Sequence, residues 1–117
     1  MSHRASEKSQ GKGFGEIDAL LASFCKVRIL NYASKEPIHA SSILDRLHHH
    51  GCTIAVGTLN GMVFRMVRNG WLKTKNNSGH GGLAGPHYTL TKQGQRVLDL
   101  TRKHLGSLME KLKPHRV

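Results

Sequence analysis

Apolar residues recur at three- and four-residue steps near the start of the chain: Ile17, Leu20, Leu21, Phe24, Val27 and Leu30. That spacing predicts an amphipathic helix over about residues 16–34. Glu16 and Asp18 fall in its first turn, where the helix dipole favours acids. Pro37 pushes Glu36 out of helical geometry and ends it. A shorter helix over about 39–50 follows, with Ala40, Ile43, Leu44 and Leu47 on one face and Gly51 as its stop. A third, over about 55–68, turns Leu59, Met62, Val63 and Met66 inward and ends at Asn69-Gly70. Residues 71–75 read as a strand, 76–86 as a glycine-rich loop, and 87–90 as the returning strand, together a hairpin. The last helix starts at Thr91 or Lys92 and runs to about residue 113, before Pro114. Leu98, Thr101, Leu105, Leu108 and Leu112 alternate steps of three and four along it, a two-heptad seam.

Helix, helix, helix, strand, glycine loop, strand, helix predicts an α+β chain that is mostly α. Only residues 51–54 join the second and third helices. The expected architecture is therefore a winged helix-turn-helix of three helices and a two-stranded wing, plus a C-terminal dimerisation helix. The expected organisation is a flexible basic tail over 1–13, the winged domain over 14–91 and the dimerisation helix over 92–117. Leu98, Leu105, Leu108, Met109 and Leu112 are the expected dimer contacts.

Charge turns this architecture toward a partner. Eighteen Lys and Arg against seven Asp and Glu give a net charge of +11. The excess is concentrated: no acid lies between Asp45 and Asp99, a stretch holding Arg46, Arg65, Arg68, Lys73, Lys75, Lys92 and Arg96. A merely solvated surface would mix signs, whereas a one-signed stretch suits a polyanion. The third helix carries Thr58, Asn60, Gly61, Arg65 and Arg68 opposite its apolar stripe, and no acid. A helix about 10–12 Å across fits a B-DNA major groove of similar width. Thr58, Asn60 and Arg65 are the candidates for base edges, since Asn pairs with adenine and Arg with guanine. Gly61 would allow close backbone approach. Arg68, Lys73 and Lys75 suit phosphates, and His80, with Asn76 and Asn77, would be the polar contacts of the wing loop.

Three stretches also carry a resemblance. Pro37-Ile38-His39-Ala40-Ser41-Ser42-Ile43-Leu44 is similar to the start of the second helix in PadR-type transcriptional regulators. Gly57-Thr58-Leu59-Asn60-Gly61-Met62-Val63, with Asn69-Gly70-Trp71-Leu72, resembles that family's reading helix. His87-Tyr88-Thr89-Leu90-Thr91-Lys92-Gln93-Gly94 resembles its closing strand and turn. The resemblance covers roughly residues 25–113. It implies a homodimer on a palindromic operator, usually a repressor, held together by the C-terminal helix. The chain departs from the family's pattern at three places. Asn60-Gly61 replaces the usual Tyr-Pro, so contacts of that Tyr do not carry over. Leu83-Ala84-Gly85-Pro86 stands where the wing often has Arg or Lys. The terminal helix has no aromatic residue of the kind some relatives use to hold aromatic drugs.

Other chemistry is thinner. His48-His49-His50 point about 100° apart on a helix, so they do not converge on one ion. We assign no metal and no cofactor. Two cysteines make no disulfide framework; Cys25, within the apolar face of the first helix, reads as a buried small hydrophobe, and Cys52, in the turn, is a candidate redox-sensing thiol whose neighbours offer histidines but no resolving cysteine. The glycine loop does not match a phosphate-binding loop and leads into a strand, not a helix. No nucleophile with a base and an orienting acid is evident, so an enzyme is not expected. No membrane span or signal core is seen, and the expected place is the cytoplasm, on the nucleoid. Double-stranded DNA and a second copy of the chain are the expected partners. The alternative is a winged helix used for protein–protein interaction, which would need an apolar outward patch on the third helix; Phe64 is its one support.

Overall fold

The computed structural model describes residues 2–75 and 86–114, with side chains from residue 19 onward. The order is α1 (Ser2–Lys35), α2 (Ala40–His49), α3 (Val56–Arg68), β1 (Leu72–Lys75), β2 (His87–Leu90) and α4 (Lys92–Lys111). From α2 onward each element lies within two residues of its expected bounds. The exception is the first helix. It begins at Ser2, not near residue 16, and takes in the stretch expected to be a tail. The lack of apolar residues there bears on packing and not on helix continuation. No proline precedes Pro37, and extending a helix fixes one residue per new hydrogen bond.

The helix-turn-helix is set by two matching stops. At the end of α2, the Cys52 amide donates to the Leu47 carbonyl (2.7 Å) and the Gly51 amide to His48 (3.0 Å). At the end of α3, the Trp71 amide donates to Met66 (2.9 Å) and the Gly70 amide to Val67 (3.0 Å). Both are Schellman caps, which need a left-handed residue just past the helix. Gly51 at φ +86° and Gly70 at φ +83° supply it.

The wing pairs Leu72 with Leu90, Lys73 with Thr89, Thr74 with Tyr88 and Lys75 with His87, antiparallel. A further contact was not foreseen. Ile38, in the link before α2, bridges Tyr88 through two hydrogen bonds of 3.0 and 2.7 Å. The wing is thereby tied to the entry of the helix-turn-helix.

Thr91 and Gly94 join the wing to α4. Thr91 is the N-cap of α4: its Oγ accepts from the Gly94 amide (2.9 Å). The same hydroxyl donates to the Gly70 carbonyl (2.5 Å), with the Trp71 carbonyl at 3.1 Å. Gly94 packs directly on that turn. A Cβ there would overlap the Trp71 carbonyl oxygen and stand 2.7 Å from Leu90 Cδ1.

One core fills the space between these elements: Cys25, Ile29, Leu30, Tyr32 and Ala33 of α1, Ile38, Ile43 and Leu47, the stripe Leu59, Met62, Val63 and Met66 of α3, Leu72 and Leu98. Leu98 is 0% exposed within the single chain. Its expected place in the dimer seam is therefore corrected: Leu98 belongs to the core of the single chain and has no exposed surface to offer a partner. Leu105 is half-buried, while Leu108, Met109 and Leu112 are exposed.

Two glycines of α4 should respond oppositely to the same change. Gly94→Ala should cost at least about 2 kcal/mol, the scale of overpacking against fixed backbone. Gly106, with nothing within 4 Å of its missing Cβ, should gain up to about 1 kcal/mol on Gly106→Ala from helix propensity. Urea unfolding monitored by circular dichroism measures both; equal effects would refute the close-packing account.

Candidate nucleic-acid interface

The core stripe of α3 fixes which residues face outward. With Leu59, Met62, Val63 and Met66 buried, the helical period leaves Gly57, Gly61, Phe64 and Arg68 opposite. Asn60 flanks that line on one side, and Thr58 and Arg65 on the other. Thr58, Asn60, Arg65 and Arg68 are all exposed and share this surface with Gly61. Ala55, the N-cap, makes no side-chain hydrogen bond to the helix, and the first turn has no acid. The free amides and positive dipole end of α3 are thus left for an anion.

Gly61 and Arg65 act as a pair. The Arg65 guanidinium lies along α3, with Nη1 3.5 Å from where a Cβ of residue 61 would stand. The missing side chain leaves a track along which Arg65 runs back toward the N-terminal half of the helix. In helix-turn-helix proteins that half meets base edges.

Lys73 and Lys75 are exposed and, two residues apart on β1, share one face of the wing. The ion pairs among the described residues are Arg46–Glu36, Arg102–Asp99 and Lys113–Glu110. Arg65, Arg68, Lys73 and Lys75 belong to none of them. Arg46, counted in the basic stretch, is turned away. Its guanidinium lies 4.6 Å from the Tyr32 ring centroid and its Nη2 3.5 Å from Glu36. His80, Asn76 and Asn77 lie outside the described residues.

The structure adds one group to the outward face that was not counted as a contact: Phe64 is 63% exposed. Val56, the first residue of α3 and 56% exposed, lies in phase with the buried Val63 seven residues on. Phe64 falls in the outward phase of the period, which was the available signal. Leu20, Leu21 and Phe24 of α1 are also exposed, as is Leu100 of α4. Their regular spacing marks a face of the helix, but spacing alone does not tell a core face from one that a single chain leaves uncovered.

Three helices, the third backed by a two-stranded wing, with this basic outward face, define a winged helix-turn-helix protein. The sequence model of the transcriptional regulator PadR-like family matches residues 29–100, from the buried part of α1 into α4, and the chain belongs to that family. No match is found among the curated proteins. Solved structures share the fold. A PadR family transcriptional regulator from Eggerthella lenta superposes with a TM-score of 0.72 at 21% identity, covering 93% of each chain. A PadR-like regulator from Bacillus cereus gives 0.71 at 18% identity, over 83% of this chain and 99% of that one. PadR of Bacillus subtilis, solved in complex with operator DNA, gives 0.56 at 16% identity, over 79% of this chain and 48% of that one.

The Gly61–Arg65 track has a measurable consequence. Gly61→Ala places a methyl in ordinary contact with Arg65 and should raise stability by about 0.5–1 kcal/mol. Gly61→Phe should displace the guanidinium and change DNA binding by as much as loss of Arg65 itself. Thermal melts and binding titrations on the two variants check this; a DNA affinity unmoved by Phe would refute the track.

Proposed function

We propose that the chain binds double-stranded DNA sequence-specifically as a homodimer, as a repressor at a palindromic operator, with α3 in the major groove. The observation that carries this reading is the outward face of α3: Thr58, Asn60, Arg65 and Arg68 exposed together, with no acid on the helix. Membership of a transcriptional regulator family supports it. So does the B. subtilis neighbour, whose structure contains operator DNA. Thr58, Asn60 and Arg65 would read base edges. Phe64 would lie against a thymine methyl, an apolar contact that the major groove provides. Arg68, Lys73 and Lys75 would hold phosphates and set the register, with His80 as a contact from the wing loop.

Dimerisation is supported by apolar residues that the single chain leaves uncovered. Leu108, Met109 and Leu112 continue the seam of α4 beyond its core residue Leu98, with Leu105 between. Leu20, Leu21 and Phe24 on α1 add a second exposed stripe. Two reading helices would then stand about 34–36 Å apart, one duplex turn.

The protein-interaction reading draws on Phe64 and Val56. Eight residues apart, they are about 12 Å distant along the helix, with Asn60 between them. They form no continuous apolar patch of the kind a protein partner needs.

Arg65→Ala should weaken binding to the selected operator by roughly tenfold to a hundredfold, the worth of a bidentate base pair contact. Binding to random duplex should change far less; equal losses would exclude base reading. Affinity should also fall steeply with salt, as several cations displace counterions, and a flat response would exclude DNA as the partner. The operator itself comes from sequencing genomic fragments that the purified protein retains at physiological salt. Leu108→Glu should yield monomers in sedimentation velocity; an unchanged dimer would exclude the seam.

A further inference from the structure

Cys25 and Cys52 are far apart in sequence but adjacent in space. Cys25 lies on the inner face of α1 and is 2% exposed. Cys52 follows Gly51 in the turn of the helix-turn-helix, half-buried and packed against the same core. Both thiols are free. Both line one groove of about 670 Å³ between α1 and the turn, together with Phe24, Arg28 and His50. Burial pushes the Cys25 thiol up to about 12, and the neighbouring Cys52 thiol adds to the rise, while Arg28 opposes it. The two cysteines thus face one groove and pack on one core.

We propose that Cys25 and Cys52 form an oxidisable thiol pair at which a peroxide installs a disulfide between α1 and the helix-turn-helix. The fold supplies the resolving cysteine that the sequence around Cys52 lacks. Cys52 is the group that peroxide meets, because the groove opens it to solvent. Its thiolate attacks one oxygen of hydrogen peroxide, the O–O bond breaks, and the departing hydroxide is protonated to water. A sulfenic acid remains on Cys52. The Cys25 sulfur then attacks the sulfenic sulfur. The S–O bond breaks, the Cys25 proton leaves with the hydroxyl as a second water, and the S–S bond forms. Two thiols lose two electrons in all, and one peroxide becomes two waters. Cys25, shielded from solvent and held as a neutral thiol, does not react with peroxide first.

The bond has a mechanical consequence. To bond, the two sulfurs must close to about 2.05 Å. Cys52 is also the residue whose amide closes the cap of α2 on Leu47. The chain then reaches Val56, the first residue of α3, within four residues. Drawing Cys52 toward α1 strains that cap and shifts the start of the reading helix. Oxidation thus lowers operator affinity. That last step rests on the DNA-binding reading above; the thiol chemistry does not.

The two parts separate experimentally. The full chain is treated with equimolar hydrogen peroxide, labelled with maleimide and weighed intact. Both thiols should disappear together with the loss of two hydrogens, and peptide mapping should join the Cys25 and Cys52 peptides within one chain. Cys25→Ala should stop at a sulfenic acid on Cys52, trapped by dimedone, and Cys52→Ser should leave Cys25 unreacted. Thiols that persist in excess peroxide, or bridges only between chains, overturn the pair; the wild-type map decides this even if a variant fails to fold. Oxidised protein should then bind duplexes selected by the reduced form about tenfold more weakly, within the usual range of such coupling, and recover with dithiothreitol. A disulfide that leaves affinity unchanged refutes the control of DNA binding. A reduced protein that selects no duplex refutes the DNA reading and leaves the pair standing on its mass.

Discussion

The junction at Trp71 governs the rest of the structure. Its carbonyl oxygen takes the Thr91 amide at 3.1 Å and lies against Gly94, where any side chain would overlap it. Its amide closes the cap of α3 on Met66. One peptide unit on each side of this residue thus fixes the end of α3, the base of the wing and the start of α4. Thr91 adds the fourth contact by bonding the Gly70 carbonyl while capping α4. The similarity to the Thr-x-x-Gly closing turn of the family has a physical basis here. Thr is needed for a hydroxyl that donates and accepts at once, and Gly because helix and turn meet backbone to backbone.

That rigidity is what gives the outward face of α3 its meaning. A base-reading surface needs its side chains held in a fixed relation to the phosphate contacts beside them. Arg65 and Arg68 stand on α3, Lys73 and Lys75 on β1, and the cap at Gly70 with the Thr91 bonds lies between the two elements. The bridge from Ile38 to Tyr88 anchors the other end of the wing to the entry of α2. On the proposed reading, helix and wing present themselves to a duplex as one unit.

Much of this was legible in the sequence because it rests on local rules. The stripes of α2 and α3, the stops at Gly51 and Gly70, and the hairpin all follow from periodicity and backbone preference, and they appear within two residues of their expected places. What failed depends on tertiary neighbours. Arg46 is as basic in sequence as Arg65, but a Tyr32 ring and Glu36 lie beneath it and draw it inward. Leu98 and Leu108 belong to one seam by spacing; only the packing of α4 on α1 separates the core leucine from the exposed one. The adjacency of Cys25 and Cys52 was invisible for the same reason. The start of α1 was missed because a helix can continue without an apolar face.

The replacement of Tyr-Pro by Asn60-Gly61 now has a structural sense. Proline at position 61 would add ring atoms where the Arg65 guanidinium lies, with Nη1 and Nη2 3.5 and 3.9 Å from the Cβ site. Losing the ring opens the track for Arg65, and losing the Tyr leaves Asn60 as a short amide at the edge of the same face. The two changes act together: an aromatic side chain and a proline inside α3 give way to a short amide and to room for the Arg65 guanidinium, groups suited to adenine and guanine respectively. Phe64, exposed one turn beyond Asn60, keeps an apolar element on that surface. On the proposed reading this chain keeps the family's scaffold and docking geometry. It changes the chemical set presented to the bases, so its operator follows from Asn60, Phe64 and Arg65 and not from the family's usual motif.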